Sequence, residues 1–249
     1  MEITDCILNH RSIRKYKHST IDSALLNDIL NAGCRASTTG NMQVYSIVVT
    51  TEHSLKELLA PAHFNQKMVI NAPTILTFCA DFNRFNKWCA LNNAIPGYDN
   101  FLSFMTAAID ALLVAQNVTI AAEAHGLGVC YLGTTLYNAD KIIDILKLPN
   151  GVVPVTTLTI GWPDEMPELT HRLPLEAILH KEVYSDYSPD CIAELYATKE
   201  KLEENIQFVK ENNKHTLAQV FTDVRYKKAD NEFFSGSLLS VLKRQGFME

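Results

Sequence analysis

The stretch Phe101–Ala124, FLSFMTAAIDALLVAQNVTIAAEA, restricts the fold more than any other part of this chain. At 100° per residue its polar residues fall into two stripes that lie nearly opposite each other. Ser103, Thr106, Asp110 and Asn117 form one; Gln116, Thr119 and Glu123 form the other. Between them run two broad apolar flanks. Phe104, Ile109 and Leu112 supply packing surface, and Ala107, Ala108, Ala111, Ala115, Ala121 and Ala122 keep it slim. A surface helix has a single apolar face. Two flanks predict a central helix packed between layers, touching either two parts of its own subunit or a partner subunit. A membrane span needs about 20 mostly uninterrupted apolar residues. Asp110, Gln116, Asn117 and Glu123 interrupt this run, which reads as part of a soluble protein with no membrane partner.

The elements around that helix follow from local patterns. Thr20 precedes IDSALLNDILNAG, which repeats apolar residues at helical spacing with Gly33 helping to end it. RASTTGNMQ is a loop, and the β-branched run Val44–Thr51 is a strand. Ser54 caps a short helix through Leu59, and Pro73 leads into the strand TILTFCAD. His125-Gly126-Leu127-Gly128 ends the central helix, and Val129–Leu132 is a strand. Asn138 caps ADKIIDILKL, which stops at Pro149, and Val152–Trp162 is the last strand. After a polar, proline-rich connection, Asp190–Asn213 and Asn231–Gln245 read as more polar helices. About four strands among six or more helices make an α+β or three-layer α/β chain, one domain with a C-terminal appendage.

Composition narrows the chemistry by exclusion. With 249 residues, 47% of them hydrophobic, and only 10 Gly and 9 Pro, the chain is neither disordered nor fibrous. A net charge of −6 makes nucleic acid a poor partner. The six cysteines are scattered without a C-x-x-C, which suggests reduced thiols and a cytoplasmic address. The start, MEITDCILNHRSIRKY, has no apolar segment of signal-peptide type. No H-x-x-x-H, H-E-x-x-H or cysteine cluster points to a metal, and no G-x-S-x-G or P-loop is present. Gly126-Leu127-Gly128 follows a helix and precedes a strand, the reverse of a dinucleotide-binding turn.

What remains is the cluster His10-Arg11-Ser12-Ile13-Arg14-Lys15-Tyr16 in an otherwise acidic chain. It reads either as a solvated basic stretch or as an anion site, since arginine forks and a serine hydroxyl suit a phosphate. His171-Arg172 is a second basic element, distant in sequence, that converges on the same anion in the second reading.

Several segments carry a resemblance in one consistent order. They are His10-Arg11-Ser12-Ile13-Arg14, Ala36-Ser37-Thr38-Thr39-Gly40 with Met42-Gln43, Asn65-Gln66-Lys67 and Cys79-Ala80-Asp81-Phe82-Asn83. Then come Ala115-Gln116-Asn117, Ala121-Ala122-Glu123 with Gly126-Leu127-Gly128, and Tyr131-Leu132-Gly133. Leu146-Lys147-Leu148-Pro149, Gly161-Trp162-Pro163 and Arg172-Leu173-Pro174 close the series. On these the chain resembles the nitroreductase family of FMN-dependent oxidoreductases, and within it the NADPH-dependent branch of nitroreductases and flavin reductases.

The resemblance implies an α+β, nitroreductase-like three-layer fold: a central, mainly antiparallel sheet flanked by helices, in an interlocked homodimer with FMN at the interface. It implies an FMN-binding core over 1–185 and a C-terminal helical extension over 186–249 that packs on the core or on the partner subunit. His10 and Ser12 would hold the FMN phosphate with Arg172, and Arg11 would share the motif with a partly structural role. Arg14 would sit by the N1–C2 edge of the isoalloxazine and Gln66 by its pyrimidine edge. Ser37, Thr38 and Thr39 would flank the ring from the other subunit. Tyr131 leads into Leu132, Gly133 and Thr134, whose backbone would face N5.

The implied activity is ping-pong, two-electron reduction of nitroaromatics, quinones or related small-molecule acceptors, with NADPH or NADH as donor. The alternatives are an NAD(P)H:flavin oxidoreductase and a non-catalytic flavin-binding protein. Three features depart from the family pattern. Thr170 stands where the branch has lysine, leaving His171 to replace a phosphate contact. Arg225, Lys227 and Lys228 are out of register with the branch's NADPH-gripping arginines. Thr134 replaces a common glycine and narrows the pocket.

Overall fold

The computed structural model describes residues 2–249. Four strands, β1 (Tyr45–Thr50), β2 (Thr74–Asp81), β3 (Gly128–Leu132) and β4 (Val152–Gly161), form one antiparallel sheet in the order β1-β2-β4-β3. The helices among them are α1 (Ile3–Leu8), α2 (Ser23–Gly33), α3 (His53–Leu59), α4 (Lys67–Asn71), α5 (Asn83–Leu91), α6 (Phe101–Ala124) and α7 (Ala139–Leu146). Every residue of β2 and β4 is buried, which is why both read as continuous apolar runs rather than as alternating ones. Their register pairs Leu76 with Leu158 and Thr77 with Thr157.

Alternate residues of the sheet enter different cores, as a period of two requires. Leu76, Phe78, Leu158 and Ile160 pack with Ala107, Ala111, Val114 and Val118 of α6. Ile75, Cys130 and Leu132 pack on the other side with Leu59, Val69 and Ile142, from α3, α4 and α7. The result is the three-layer α+β arrangement with a central antiparallel sheet.

Helix α6 is the core helix its pattern predicts, with one qualification. Ile109 and Leu112 do not pack internally; with Leu102, Met105 and Leu113 they leave one apolar flank exposed. The inner flank is slim enough for α2 to come close. A Cβ on Gly33 would fall inside Val118 Cγ2, so this glycine serves contact rather than helix termination.

Other boundaries also moved, for local reasons. Helix α2 begins after Asp22, not Thr20, because the Asp22 carboxylate accepts the N–H groups of Ala24 and Leu25 at 2.9 and 3.3 Å. Helix α3 starts after Glu52, leaving Ser54 inside it. Asn138 stands at the N-cap of α7 without capping it, since its side chain donates to Ala62 O at 2.9 Å.

The chain forms two compact units, one running to Leu169 and including Phe234–Glu249, the other Thr170–Phe233. In the first, Val241, Leu242 and Phe247 join the core, and Arg244 pairs with Asp144 at 3.0 Å. The second holds α8 (Pro189–Glu200), α9 (Glu203–Glu211) and α10 (Leu217–Val220), so the expected helix over 190–213 is two helices. The final helix, α11, runs Lys228–Arg244, three residues longer at its start than the periodicity predicts. None of the six cysteines is paired in a disulfide.

Residues 12–17 lie along the end of the sheet. Ser12 bridges Val129 in parallel, Ile13 N donates to Val129 O at 2.9 Å, and Lys17 N donates to Trp162 O at 2.9 Å. A Cβ at Gly128 would stand 2.5 Å from Ile13 Cγ1, so only glycine admits the segment this close. Gly128→Ala is expected to destabilise the fold by about 1–3 kcal/mol, the usual cost of overpacking. Urea unfolding of the two proteins checks this.

Candidate active site

The pattern Ile13-Arg14-Lys15-Tyr16 sorts itself by burial: Ile13 and Tyr16 face the core while Arg14 and Lys15 are exposed. Tyr16 places its hydroxyl 2.6 Å from Ile13 O and 2.8 Å from Thr159 Oγ1, and burial pushes its phenol well above the usual range. The backbone beneath the two cations is held by one carboxylate oxygen. Glu165 Oε1 accepts from Arg14 N at 2.7 Å and from Lys15 N at 3.0 Å. Charge-assisted bonds of this kind are stronger than neutral ones, so the Arg14 backbone is fixed and its side chain is left outside.

Upstream, His10 Nδ1 lies 2.6 Å from Glu123 Oε1 at the end of α6. Burial raises the Glu123 carboxyl, and the bond to His10 partly offsets this. The contact uses Nδ1 and leaves Nε2 for a ligand. Arg11 Nη1 donates to Asn9 O at 3.2 Å.

Arg14 and Gln66 line one open cleft of about 600 Å³. Lys15 and Lys67 add positive charge against the single carboxylate of Asp164, and Asn71 adds a second amide. Gln66 follows Phe64 and Asn65, both in the left-handed region at φ 53° and 55°. Such backbone is uncommon for residues with side chains and tends to be kept where a site needs it. Gln66 Nε2 donates to His63 O at 3.1 Å.

The other expected residues occupy different places. Thr39 donates to Asp110 Oδ1 through its backbone N at 3.0 Å and its hydroxyl at 3.3 Å, which ties the Ser37–Thr39 loop to α6. Ser37, Thr38 and Thr39 do not line the cleft. The Tyr131 hydroxyl meets Thr119 and Gln116 of α6 at 3.2 and 3.3 Å. Leu132 is buried; Gly133 is exposed with open space where a Cβ would stand. Thr134 Oγ1 lies 2.8 Å from His63 Nδ1. Arg172 is exposed in the second unit, ahead of the turn Leu175–Ala177. Arg225 in that unit sits 4.8 Å over the Phe208 ring, and Lys228 pairs with Glu232 at 3.6 Å.

His63, Glu165 and Asp110 bond to expected site residues without belonging to a motif, and only Asp110 left a trace, in the polar stripe of α6. The donor set fits FMN: a guanidinium and two amides in a cationic cleft suit the carbonyls of a pyrimidine edge.

The match to the Nitroreductase family model covers residues 7–162, and the chain belongs to that family. It is 33% identical to the oxygen-insensitive NADPH nitroreductase of Salmonella typhimurium, covering 76% of this chain and 77% of that one. It is 32% identical to the FMN reductase (NADPH) of Bacillus subtilis, covering 75% and 76%. Among solved structures, a Bacteroides fragilis protein superposes with a TM-score of 0.97 at 57% identity over 98% and 100% of the two chains. The NADPH:FMN oxidoreductase of Vibrio harveyi, solved with NAD+, superposes with a TM-score of 0.83 at 28% identity over 99% of each.

Burial pushes the fully buried His63 down to about 4, below its ordinary 6.5. The folded state therefore refuses a proton that the unfolded chain accepts. Its contribution is complete above pH 6.5 and is lost as the pH falls toward 4, by about 3 kcal/mol in all. Urea titrations at pH 7 and pH 4 are expected to show that much less acid sensitivity in His63→Asn than in the parent.

Proposed function

We propose that this protein is an FMN-dependent NAD(P)H oxidoreductase that reduces nitroaromatics, quinones or related small acceptors, acting in the cytoplasm as a homodimer. The observation that carries this reading is the cationic cleft in which Arg14 and Gln66 meet, within a chain of the nitroreductase family. FMN, when bound, supplies the two-electron chemistry. Across a full cycle the nicotinamide gives up two electrons and one proton, water gives a second proton, and the acceptor takes all four.

The chain's own residues bind, orient and tune. His10 and Ser12 hold the phosphate, and Arg172 makes a phosphate contact of its own. Arg14 sets positive charge at the N1–C2 edge, which favours the electron-rich state. Gln66 bonds the pyrimidine edge, and the backbone of Leu132, Gly133 and Thr134 faces N5. The exposed apolar flank of α6, with Leu102, Met105, Ile109, Leu112 and Leu113, is the kind of surface that a second copy buries. In that dimer the Ser37–Thr39 loop of one subunit flanks the ring held by the other. The flavin core is assigned to 1–185; the extension over 186–249 is anchored to it through Val241, Leu242 and Phe247.

The purified protein is expected to be yellow and to bleach when NADPH or NADH is added without oxygen. A colourless protein that refuses added FMN overturns the reading, and bound FMN that neither nicotinamide reduces would leave a flavin carrier instead. Steady-state turnover with free FMN against a nitrofuran or quinone separates a flavin reductase from a nitroreductase.

Two substitutions test the residue roles. Arg14→Ala is expected to lower the flavin midpoint potential and slow its reduction, followed by anaerobic stopped flow. Arg172→Ala is expected to weaken FMN binding by about 1.5–3 kcal/mol, the range for a hydrogen bond to a charged group, read by titrating apoprotein with FMN.

A further inference from the structure

Buried His63 touches both turns assigned to the flavin ring, one through its imidazole and the other through its backbone carbonyl. Its Nδ1 lies 2.8 Å from Thr134 Oγ1, in the turn after β3. Its carbonyl accepts both the side-chain Nε2 and the backbone N of Gln66, at 3.1 and 3.2 Å. One residue therefore links the Gln66 turn to the Gly133–Thr134 turn. Neighbouring contacts join the same two segments: Asn138 donates to Ala62 O at 2.9 Å, and Phe234 stacks on Tyr137 at 4.5 Å while meeting Phe64 edge-on at 6.1 Å.

His63 is a poor choice for packing alone. It is fully buried, and its Nε2 has no hydrogen-bond partner among the described residues. An unsatisfied buried nitrogen costs free energy that an apolar side chain of the same shape would avoid. Something else has to require the ring, and among the described residues the bond to Thr134 is the only side-chain bond it makes. Thr134 itself stands beside an exposed Gly133 with open space above it. Once its hydroxyl is turned to His63, the outer side of the turn is left as bare backbone.

We propose that His63 is a positioning residue: it sets the spacing between Gln66 and the Gly133–Thr134 backbone so that both meet one FMN ring. The proposal rests on the flavin reading above and adds to it a residue outside the ligand-contacting set. Neither His63 nor its ring nitrogens need touch the cofactor. Gln66 is steered through the His63 carbonyl, and the Thr134 backbone through the imidazole. A donor aimed at N5 favours the oxidised ring, which accepts there, over the reduced ring, which does not. Loss of the imidazole link therefore loosens oxidised FMN more than reduced FMN.

Three variants of the full chain, Thr134→Val, His63→Leu and His63→Asn, are each measured for FMN affinity by titration of apoprotein and for the midpoint potential of the bound flavin. Thr134→Val and His63→Leu are expected to bind oxidised FMN about tenfold more weakly relative to the reduced form. A tenfold change in a two-electron couple is a rise of about 30 mV. His63→Asn, which places an amide where Nδ1 was, is expected to restore most of both. Thr134→Val lies at a half-buried position and serves if the buried His63→Leu fails to fold. A folded Thr134→Val with parental FMN affinity and potential overturns the proposal while leaving the flavin reading intact. Failure of the parent protein itself to bind FMN overturns both.

Discussion

The candidate site depends on the docking of residues 12–17 against the end of the sheet. β3 is an edge strand, and an open edge invites unwanted pairing. Ser12 and Ile13 cover part of it through bonds to Val129. That cover is possible because Gly128 removes the Cβ that would strike Ile13. Once Ile13 and Tyr16 are committed to the core, the intervening Arg14 and Lys15 have nowhere to go but outward. Apolar burial at two positions thus determines where two positive charges stand. Glu165 completes the arrangement by taking up their backbone N–H groups, which fixes the backbone from which the two cations project.

Helix α6 imposes the second constraint. It serves as the spine of one core and as the anchor of three segments proposed for the site: Glu123 bonds His10, Asp110 holds Thr39, and Gln116 with Thr119 meets Tyr131. These residues were the polar stripes of an otherwise apolar helix. An aspartate as buried as Asp110 is expensive unless it is hydrogen-bonded, and the loop it holds gives that burial a purpose. The outer flank of the same helix stays apolar and exposed, so the element that organises the fold of one chain also presents its main unsatisfied surface.

The strands and the long helix were legible because their signal is burial, and burial writes itself as composition: TILTFCAD and VVPVTTLTIG are apolar throughout since both faces of β2 and β4 are covered. Helix starts were less legible. Thr20, Ser54 and Asn138 are all plausible caps, yet Asp22 took the first role by a shorter reach, and Asn138 was drawn to Ala62 by a tertiary contact that no local pattern encodes. The site divided in the same way. Arg14 and Gln66 could be named from motif resemblance and do share a cleft. Glu165 sits in a polar, proline-rich connection and His63 in a short turn. Neither position differs in sequence from an ordinary surface residue, because their importance lies in partners that are 151 and 71 residues away.

That division has a physical reason. Where the reactive atoms belong to a cofactor, the protein contributes placement and field, and a displacement of about an ångström is costly. Placement is done by groups behind the contact layer, and such groups are chosen for reach and burial rather than for reactivity. His63 illustrates the difference. As an exposed acid–base it would need a pKa near neutrality, whereas burial holds it near 4, so it stays an uncharged strut through the physiological range. A residue so placed is unsuited to proton transfer and well suited to holding two turns at a constant separation.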